Sequence, residues 1–421
     1  MRIAPEDRPV LDSIEARGGE IISRAVGWCA INSGSRNLDG LERQRAVLEQ
    51  ALGVLPGQVE SVPLQSSLEI ANDGSERRQP HPDALRLTVR PEAPTQVILT
   101  GHYDTVYPAE TAFQAVRDRD DGALWGPGVA DMKGGISVML AALEAFEAHP
   151  RKQRVGYRVL LSPDEEIGSV ASAPLLAELG RLGHVGMTYE PAMDDGALAA
   201  ARKGSGNFHV VVKGKAAHAG RDFGSGRNAV VGAAQIAAAL HALNGQREGV
   251  TVNVATIAGG SPLNVVPDNA VVRFNVRFPD AEAGDWVKLQ IEKIVIAEPL
   301  MGEHGLHVSL HGGFTRAAKP FDAAQEQLFG HIREAGALIG QQIAWKPSGG
   351  VCEGNNLYAA GLPNVDTLGV RGGDIHSENE YAWPQSFVER AQLSAMILMK
   401  LASGDIDARG LKALHARRKH A

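Results

Sequence analysis

The amino-acid sequence predicts an α/β protein in which a smaller α+β unit is inserted into a larger mixed-sheet domain. The first observation is length, because 421 residues exceed what one hydrophobic core usually serves. The second is a series of short β-rich segments, each followed by a loop or helix, in the outer parts of the chain. The third is a change of pattern at about Gly204. We therefore expect residues 1–203 and 317–421 to form one domain and residues 204–316 the inserted one.

In the larger domain, short apolar segments end where polar side chains begin. Four pairs show this: Gln96–Thr100 with His102, Tyr157–Leu161 with Glu165 and Glu166, Gly186–Tyr189 with Glu190, and Val365–Leu368 with His376. Asp131 differs, because it precedes apolar residues at helical spacing from Ile136 to Phe146. A last helix is expected to begin at Pro384 and end near Gly404.

The inserted unit alternates apolar and polar residues in four segments, which predicts half-buried strands. These strands lie near Phe208–Val212, Val250–Val254, Val272–Phe278 and Leu306–Leu310. Amphipathic helices are expected at Val230–Leu243, between the first two strands, and at Val287–Ile294, between the last two. The order β-α-β-β-α-β predicts a ferredoxin-like unit whose helices cover one face of an antiparallel sheet.

Composition narrows the possible functions. The net charge is −7, from 42 basic and 49 acidic residues, and no basic stripe is interleaved with aromatic residues, so we expect no nucleic-acid partner. No apolar run approaches the roughly 20 residues that cross a bilayer, which predicts a cytoplasmic protein without a membrane partner. Cys29 and Cys352 are the two cysteines and neither lies in a CxxC motif. Any bound metal is therefore expected to have histidine and carboxylate ligands.

The polar residues at the segment ends predict a metal site. Ligands of open α/β sheets collect at the carboxyl ends of the strands, so we expect two histidines and three carboxylates to meet there: His102, Asp131, Glu166, Glu190 and His376. Taken singly, His102 could be an ordinary loop histidine and Glu165–Glu166 a solvated acidic pair. Asp104 is placed to hold the second N–H of His102, as metal-bound histidines require. Of the two adjacent glutamates, we assign Glu166 to the metal and Glu165 to proton transfer.

Four strings carry a resemblance to a known family. They are Gly101–Val106 (GHYDTV), Gly126–Gly135 (GPGVADMKGG), Asp164–Ser169 (DEEIGS) and Glu190–Pro191. In order and spacing they resemble the dinuclear zinc family of carboxypeptidase G, acetylornithine deacetylase, succinyl-diaminopimelate desuccinylase and aminoacylase. The resemblance runs along nearly the whole chain. The resemblance is strongest to the glutamate carboxypeptidase branch, whose members have a segment similar in sequence to Asn32–Asn37 (NSGSRN).

The resemblance implies a zinc-peptidase catalytic domain with an inserted dimerisation, or lid, domain. Two Zn²⁺ per subunit are expected, with Co²⁺ or Mn²⁺ as possible substitutes. Asp131 would bridge the two ions and be followed by a cis peptide. His102 and Glu190 would complete the shell of one ion, and Glu166 and His376 that of the other. A homodimer through residues 204–316 is expected.

The same resemblance implies roles in substrate binding. His218, in Ala216–Gly220, would reach the partner subunit's site and polarise the scissile carbonyl, and Asn264 would touch the substrate near the same oxygen. Arg277, which could also belong to a solvated strand face, resembles the arginine that grips a substrate carboxylate. Gly350 would approach the substrate by its backbone. Cys352 and Glu353 depart from the family's smaller serine or threonine and aspartate, which could reshape the specificity pocket.

These features predict a metal-dependent hydrolase that cleaves an amide bond next to a free carboxylate, with Glu165 as general base. The substrate would be a small-molecule amide or peptide. Within enzymes the alternative is an N-acyl-amino-acid deacylase of the acetylornithine deacetylase or aminoacylase type. Outside enzymes it is an inactive, dimeric metal-binding scaffold, against which the intact set of ligands and Glu165 argues.

Overall fold

The computed structural model describes residues 1–296 and 305–417; the remaining parts of the predicted domain ranges, 297–304 and 418–421, lie outside the described residues. The helices are α1 Arg8–Ala16, α2 Gly18–Cys29, α3 Leu38–Leu52, α4 Lys133–Phe146, α5 Ala173–Leu182, α6 Ala229–His241, α7 Ala281–Val295, α8 Ala323–Leu338, α9 Glu353–Ala359, α10 Gln385–Ser403 and α11 Ala408–Arg417. Within the described ranges, no helix combines the length and the apolar character needed to cross a bilayer.

The strands fall into two principal sheets and several short pairings. They are β1 Gln58–Val62, β2 Ser67–Ile70, β3 Glu76–Gln79, β4 Ala84–Val89, β5 Thr95–His102, β6 Arg117–Asp118, β7 Leu124–Trp125, β8 Val155–Ser162, β9 Val185–Thr188, β10 Leu198–Arg202, β11 Gly204–Lys213, β12 Ala217–His218, β13 Thr251–Gly259, β14 Val265–Val266, β15 Asn269–Phe278, β16 His307–Arg316, β17 Trp345–Ser348, β18 Asn364–Val365, β19 Gly372–Gly373 and β20 Tyr381–Ala382.

A six-stranded mixed sheet forms the centre of the larger domain, in the order β1-β4-β8-β5-β9-β18. Strands β8, β5, β9 and β18 run parallel, while β4 and β1 are antiparallel to their neighbours. Successive residues of β5 pack on opposite faces: Val97 and Leu99 join the core that includes α4 and α10, whereas Ile98 joins the cluster with α5 and α9. Because both faces of β5 are buried, its sequence has a continuous apolar run instead of alternating between apolar and polar residues. The predicted α/β class with a mixed sheet is confirmed.

One predicted strand is wrong in its position. Val365–Leu368 was expected to form the last strand, but β18 consists of Asn364 and Val365 alone. The backbone then leaves the ladder, because Thr367 forms an isolated antiparallel bridge with Tyr189. The last long helix was predicted well, since α10 follows Pro384 and ends at Gly404 in the left-handed conformation.

The second sheet lies in residues 204–316, in the antiparallel order β13-β15-β11-β16. Helices α6 and α7 pack with the apolar residues of one sheet face to form a separate hydrophobic cluster. This is the predicted β-α-β-β-α-β arrangement. The boundaries 203/204 and 316/317, and the function of the unit as a lid, stay predictions.

The face of this sheet away from the two helices contacts the β2–β3 hairpin of the larger domain. Ile70 packs against Val211 and Val271, and Arg273 donates a hydrogen bond to the carbonyl of Ile70 at 2.7 Å. Lys213 also donates to the carbonyl of Asp73 at 2.7 Å. The hairpin therefore joins the two units at a point distant in sequence from both chain crossings.

Candidate metal centre

The first of two ligand clusters contains His102, Asp131 and Glu190, whose ligand atoms lie within 4.8 Å of one another. His102 Nε2 is 3.1 Å from Asp131 Oδ1 and 3.9 Å from Glu190 Oε1. His102 ends β5, Glu190 follows β9, and both are buried. The parallel strands β5 and β9 thus bring the imidazole and the carboxylate to one edge of the sheet.

The second cluster contains Asp131, Glu166 and His376. His376 Nε2 lies 3.3 Å from Asp131 Oδ2 and 3.1 Å from Glu166 Oε2. Asp131 therefore belongs to both clusters and presents one carboxylate oxygen to each. The peptide between Asp131 and Met132 is cis, as the family resemblance implied.

The electrostatics of the clusters suit a divalent cation. Burial and the neighbouring Asp131 raise the pKa of Glu166 to about 8, and burial raises the pKa of Glu190 well above its usual value. Hydrogen bonds to Asp131 and Glu166 raise the pKa of His376 to about 11. Glu190 Oε1 is buried without a hydrogen-bond partner among the described residues. Imidazole nitrogen and carboxylate oxygen are ligands that zinc accepts, so the donor set fits this ion.

Asp104 supports the site mainly through its contacts with the backbone. Its carboxylate accepts hydrogen bonds from the amides of Glu165 and Glu166, both at 3.1 Å, and from the Ser35 hydroxyl at 2.8 Å. His102 Nδ1 lies 3.0 Å from the carbonyl oxygen of Asp104 and 3.4 Å from its carboxylate. A proton on Nδ1 would leave the lone pair of Nε2 directed towards Asp131 and Glu190. The backbone carbonyl thus makes the closer contact, where the sequence suggested the carboxylate.

Glu380 fixes the loop that carries Asp131. Its carboxylate accepts from the amides of Gly128, Ala130 and Asp131 at 2.8–3.0 Å and from the hydroxyl of Tyr107 at 2.7 Å. Burial and the nearby Asp131 raise its pKa to about 7. Because Glu380 lies four residues after His376, it links the backbones that carry two of the five predicted ligands.

Glu165 lies beside the clusters and is paired with a buried arginine. Arg316 Nη2 is 2.5 Å from Glu165 Oε1 and also contacts the Ser169 hydroxyl at 3.0 Å. Its Nη1 donates to Asn356 at 2.7 Å. Arg316 ends β16 and is 2% exposed. The last residue of the inserted sheet therefore fixes the orientation of the predicted general base.

Both clusters open into a cavity of about 550 Å³. Besides Asp131, Glu166, Glu190, His376 and Glu165, its lining includes Arg202, Ser205, Asn207, Asn275, Arg277, Arg316, Ser348, Gly350 and Thr367. The predicted residues Arg277 and Gly350 thus face the same space as four of the five predicted ligands, while the fifth, His102, is buried and is not among the lining residues. Cys352 and Glu353 are buried and are not among the lining residues.

Two arginines of this lining differ in how they are paired. Arg202 Nε donates to Asp366 at 2.8 Å, and Lys319 donates to the same carboxylate oxygen at 2.7 Å. Arg277 Nε contacts Asn275 at 3.0 Å, while its buried Nη1 has no hydrogen-bond partner among the described residues. Burial and the nearby Arg316 lower the pKa of Arg277. An anionic ligand in the cavity would satisfy this guanidinium.

His218 and Asn264 lie apart from the cavity, and neither lines it. They share a small hairpin in which β12 pairs with β14, and the amide of Ala219 donates to the carbonyl of Asn264 at 2.8 Å. His218 Nδ1 accepts from the amides of Gly220 and Arg221 at 3.1 Å. With Nδ1 as acceptor, a neutral ring carries its proton on Nε2.

A family model described as peptidase family M20/M25/M40 matches residues 98–400. The chain belongs to the M20 peptidase family. This M20 protein is 26% identical over 316 residues to carboxypeptidase G2 of Pseudomonas sp. strain RS-16, across 73% of this chain and 74% of that protein. It is 29% identical over 319 residues to a succinyl-diaminopimelate desuccinylase of Xanthomonas campestris pv. campestris, across 71% of this chain and 81% of that protein.

Solved structures share the fold. A tripeptidase from Staphylococcus aureus matches 92% of this chain and 99% of its own, with 22% identity and a TM-score of 0.70. Human carnosine dipeptidase 1 matches 94% of this chain and 100% of its own, with 16% identity and a TM-score of 0.70. The family model and the carboxypeptidase and desuccinylase relatives show that the M20 protein is a metal-dependent hydrolase, so the predicted family and enzyme class are confirmed.

Sequence reasoning missed three supporting residues of this M20 site. Arg202 and Arg316 end strands, and Glu380 lies in a polar loop, so no periodicity or spacing within the chain marked them. A strand-end position was the one available signal for the two arginines, because such positions had already identified His102 and Glu190.

Proposed function

We propose that the protein hydrolyses an amide bond next to a free carboxylate, in a dipeptide-like or acyl-amino-acid substrate. The observation that carries the proposal is Arg277, whose unpaired, buried Nη1 faces the cavity that contains both ligand clusters. A guanidinium binds a carboxylate by parallel hydrogen bonds. Gly350 and Arg202 line the same cavity and would contact the same part of the substrate.

The proposed metal content is two zinc ions per subunit, with Asp131 as the shared ligand; cobalt or manganese would fit the same donor set. When bound, such ions acidify water and polarise an amide carbonyl. The two separate clusters that share one carboxylate support this number.

Glu165 would take the proton from the attacking water and pass it to the leaving amine. Its carboxylate is held by Arg316 and its amide by Asp104, so the base is positioned from both sides. His218, with its proton on Nε2, would donate a hydrogen bond to the scissile carbonyl oxygen. Because His218 is remote from its own cavity, this role requires a second subunit.

A homodimer through residues 204–316 is therefore part of the proposal. The inserted unit exposes large apolar side chains near its outer strand and helix: Phe223, Val231, Ile257 and Leu263. Strand β13 forms an edge of its sheet, and edge strands are available for pairing with another chain. These features favour a partner that is a second copy of the chain.

The relatives support two substrate classes, one named a carboxypeptidase and the other a desuccinylase that acts on an acylated amino acid, succinyl-diaminopimelate. Both would place a carboxylate near Arg277. The proposal covers both and excludes amides that lack such a group.

The test measures hydrolysis by the zinc-loaded protein of dipeptides and acyl-amino acids, each compared with the same compound in which the free carboxylate is replaced by an amide. We expect kcat/KM to be at least 100-fold higher for the free carboxylate, and Arg277→Ala to abolish most of that preference. Arg273→Ala is the matched control, because Arg273 lies on the same strand but contacts the Ile70 carbonyl. Equal hydrolysis of both forms would contradict the proposal, and no hydrolysis of any member of a broad panel would favour the inactive scaffold.

A further inference from the structure

A second cavity, of about 630 Å³, meets the arginine-lined cavity at Glu166. Its walls come from Gly34–Asn37, from Thr105, Val106 and Pro108–Glu110, and from Ile167. Of the residues described, Glu166 alone lines both cavities. A substrate whose scissile bond lies at the metal clusters is therefore within reach of both cavities.

The walls of the second cavity are fastened to the metal-cluster region by hydrogen bonds. One Asp104 oxygen accepts from both the Ser35 hydroxyl, at 2.8 Å, and the amide of Glu166, at 3.1 Å. The amide of Ser35 donates to the carbonyl of Thr105 at 3.1 Å. The two walls are thus held at a fixed position relative to Glu166.

The second cavity differs from the first in charge. Arg36 is its one arginine, and both terminal nitrogens contact the Glu69 carboxylate, at 3.0 and 2.8 Å. Glu110 adds a negative charge at the rim. The remaining lining includes the apolar side chains of Val106, Pro108, Ala109 and Ile167. Unlike the first cavity, with its unpaired Arg277, this one offers an anion no unpaired cation among the described residues.

We infer that the second cavity binds the acyl portion of the substrate and selects uncharged, bulky acyl groups over acidic ones such as succinyl. This inference rests on the proposed function, in which the carboxylate of the leaving amino acid lies beside Arg277. An aryl or branched aliphatic acyl group would contact the apolar wall. A terminal carboxylate would instead meet the negative charge of Glu110 and an arginine whose terminal nitrogens already contact Glu69.

The first experiment narrows the cavity. N-acetyl, N-benzoyl and N-succinyl derivatives of one amino acid are compared on zinc-loaded wild type, Val106→Trp and Ala109→Trp. We expect the tryptophans to lower kcat/KM for the benzoyl substrate at least tenfold and to leave the acetyl substrate within threefold. Ala109 is exposed, so Ala109→Trp stays informative if the half-buried Val106 does not accept tryptophan. Val54→Trp, at an exposed site that lines neither cavity, is the control.

The second experiment changes the charge. Glu69→Gln frees Arg36, so the succinyl-to-benzoyl ratio of kcat/KM should rise at least threefold, and Arg36→Leu/Glu69→Gln should reverse the rise. Equal losses for acetyl and benzoyl substrates, or an unchanged ratio in Glu69→Gln, would overturn the inference.

A binding measurement separates this inference from the proposed function. In the Glu165→Gln background, calorimetry measures the affinity for the benzoyl and succinyl compounds without turnover. A benzoyl preference that Ala109→Trp removes supports the acyl site even if wild type hydrolyses nothing. Equal affinity for both compounds in a protein that hydrolyses free-carboxylate substrates would reject the acyl site alone.

Discussion

Arg316 Nη2 lies 2.5 Å from Glu165 Oε1, so the predicted general base is held by the last residue of the inserted sheet. The two side chains belong to segments 151 residues apart. A buried arginine with four hydrogen bonds restricts the Glu165 carboxylate to one orientation. The position of the base thus depends on how the inserted unit joins the larger domain.

Replacement of Arg316 tests this dependence. Arg316→Ala should lower kcat about 10- to 100-fold, because a misplaced catalytic group typically costs about this much. Arg316→Lys should recover part of the loss by keeping the charge. The measurement is kcat and KM at fixed zinc content, with the melting temperature as a check on folding. Asn356→Ala, which removes a different contact of Arg316, should have a smaller effect; a larger change in KM than in kcat would contradict the positioning role.

Glu165→Gln removes the base and leaves an amide oxygen for Arg316. We expect kcat to fall at least 100-fold, in line with the roughly 10²–10⁴-fold contribution of general acid–base catalysis, while the zinc content per subunit stays unchanged. Steady-state kinetics and elemental analysis measure the two quantities. Retained turnover would remove Glu165 from the mechanism, and lost zinc would assign it to the ligand set.

Mixed dimers test whether His218 acts in the partner's site. Glu165→Gln and His218→Ala should each be nearly inactive alone. After subunit exchange, half of the dimers should be mixed, and one site in each mixed dimer should contain both residues. We therefore expect about a quarter of the wild-type activity per site, as the symmetry of a two-subunit interface implies. Exchange of Glu165→Gln with the double variant is the control and should restore nothing; an inactive mixture of the two single variants would contradict the shared site.

Glu353 should make stability depend on pH. Burial, partly offset by the hydroxyl of Ser162, raises its pKa to about 8, and its Oε2 has no hydrogen-bond partner among the described residues. Between about pH 4.5 and 8 the folded protein holds a proton that the unfolded chain releases, so the free energy of unfolding falls as pH rises through this window. Each unit of pKa shift corresponds to about 1.4 kcal/mol.

Glu353→Gln should remove this contribution. Urea unfolding of zinc-loaded wild type and variant at pH 5 and pH 8.5 would show wild type losing stability relative to the variant at the higher pH. Glu334→Gln, on the exposed face of α8, is the matched control. Parallel pH profiles for wild type and Glu353→Gln would show that Glu353 is ionised in the fold.

Much of the fold could be predicted because its determinants are local. The continuous apolar run of β5 indicates a strand buried on both faces, and the alternation of apolar and polar residues in β11 and β15 indicates strands buried on one face. Several of the predicted ligands follow such strands directly in the sequence. The two-residue β18 could not be placed, because its extent depends on the bridge between Thr367 and Tyr189. The supporting roles of Glu380 and Arg316 could not be predicted for a related reason. Their hydrogen-bond partners lie about 250 and 151 residues away in the sequence, and only the folded chain brings them together.

The β2–β3 hairpin limits how the two units can move. Two chain crossings alone would act as a simple hinge, about which the smaller unit could swing in several directions. With Ile70 packed against Val211 and Val271, a displacement that separates the smaller unit from the hairpin must expose these three apolar side chains to water. Such a displacement therefore costs the free energy of that burial, which a displacement that keeps the hairpin in contact does not.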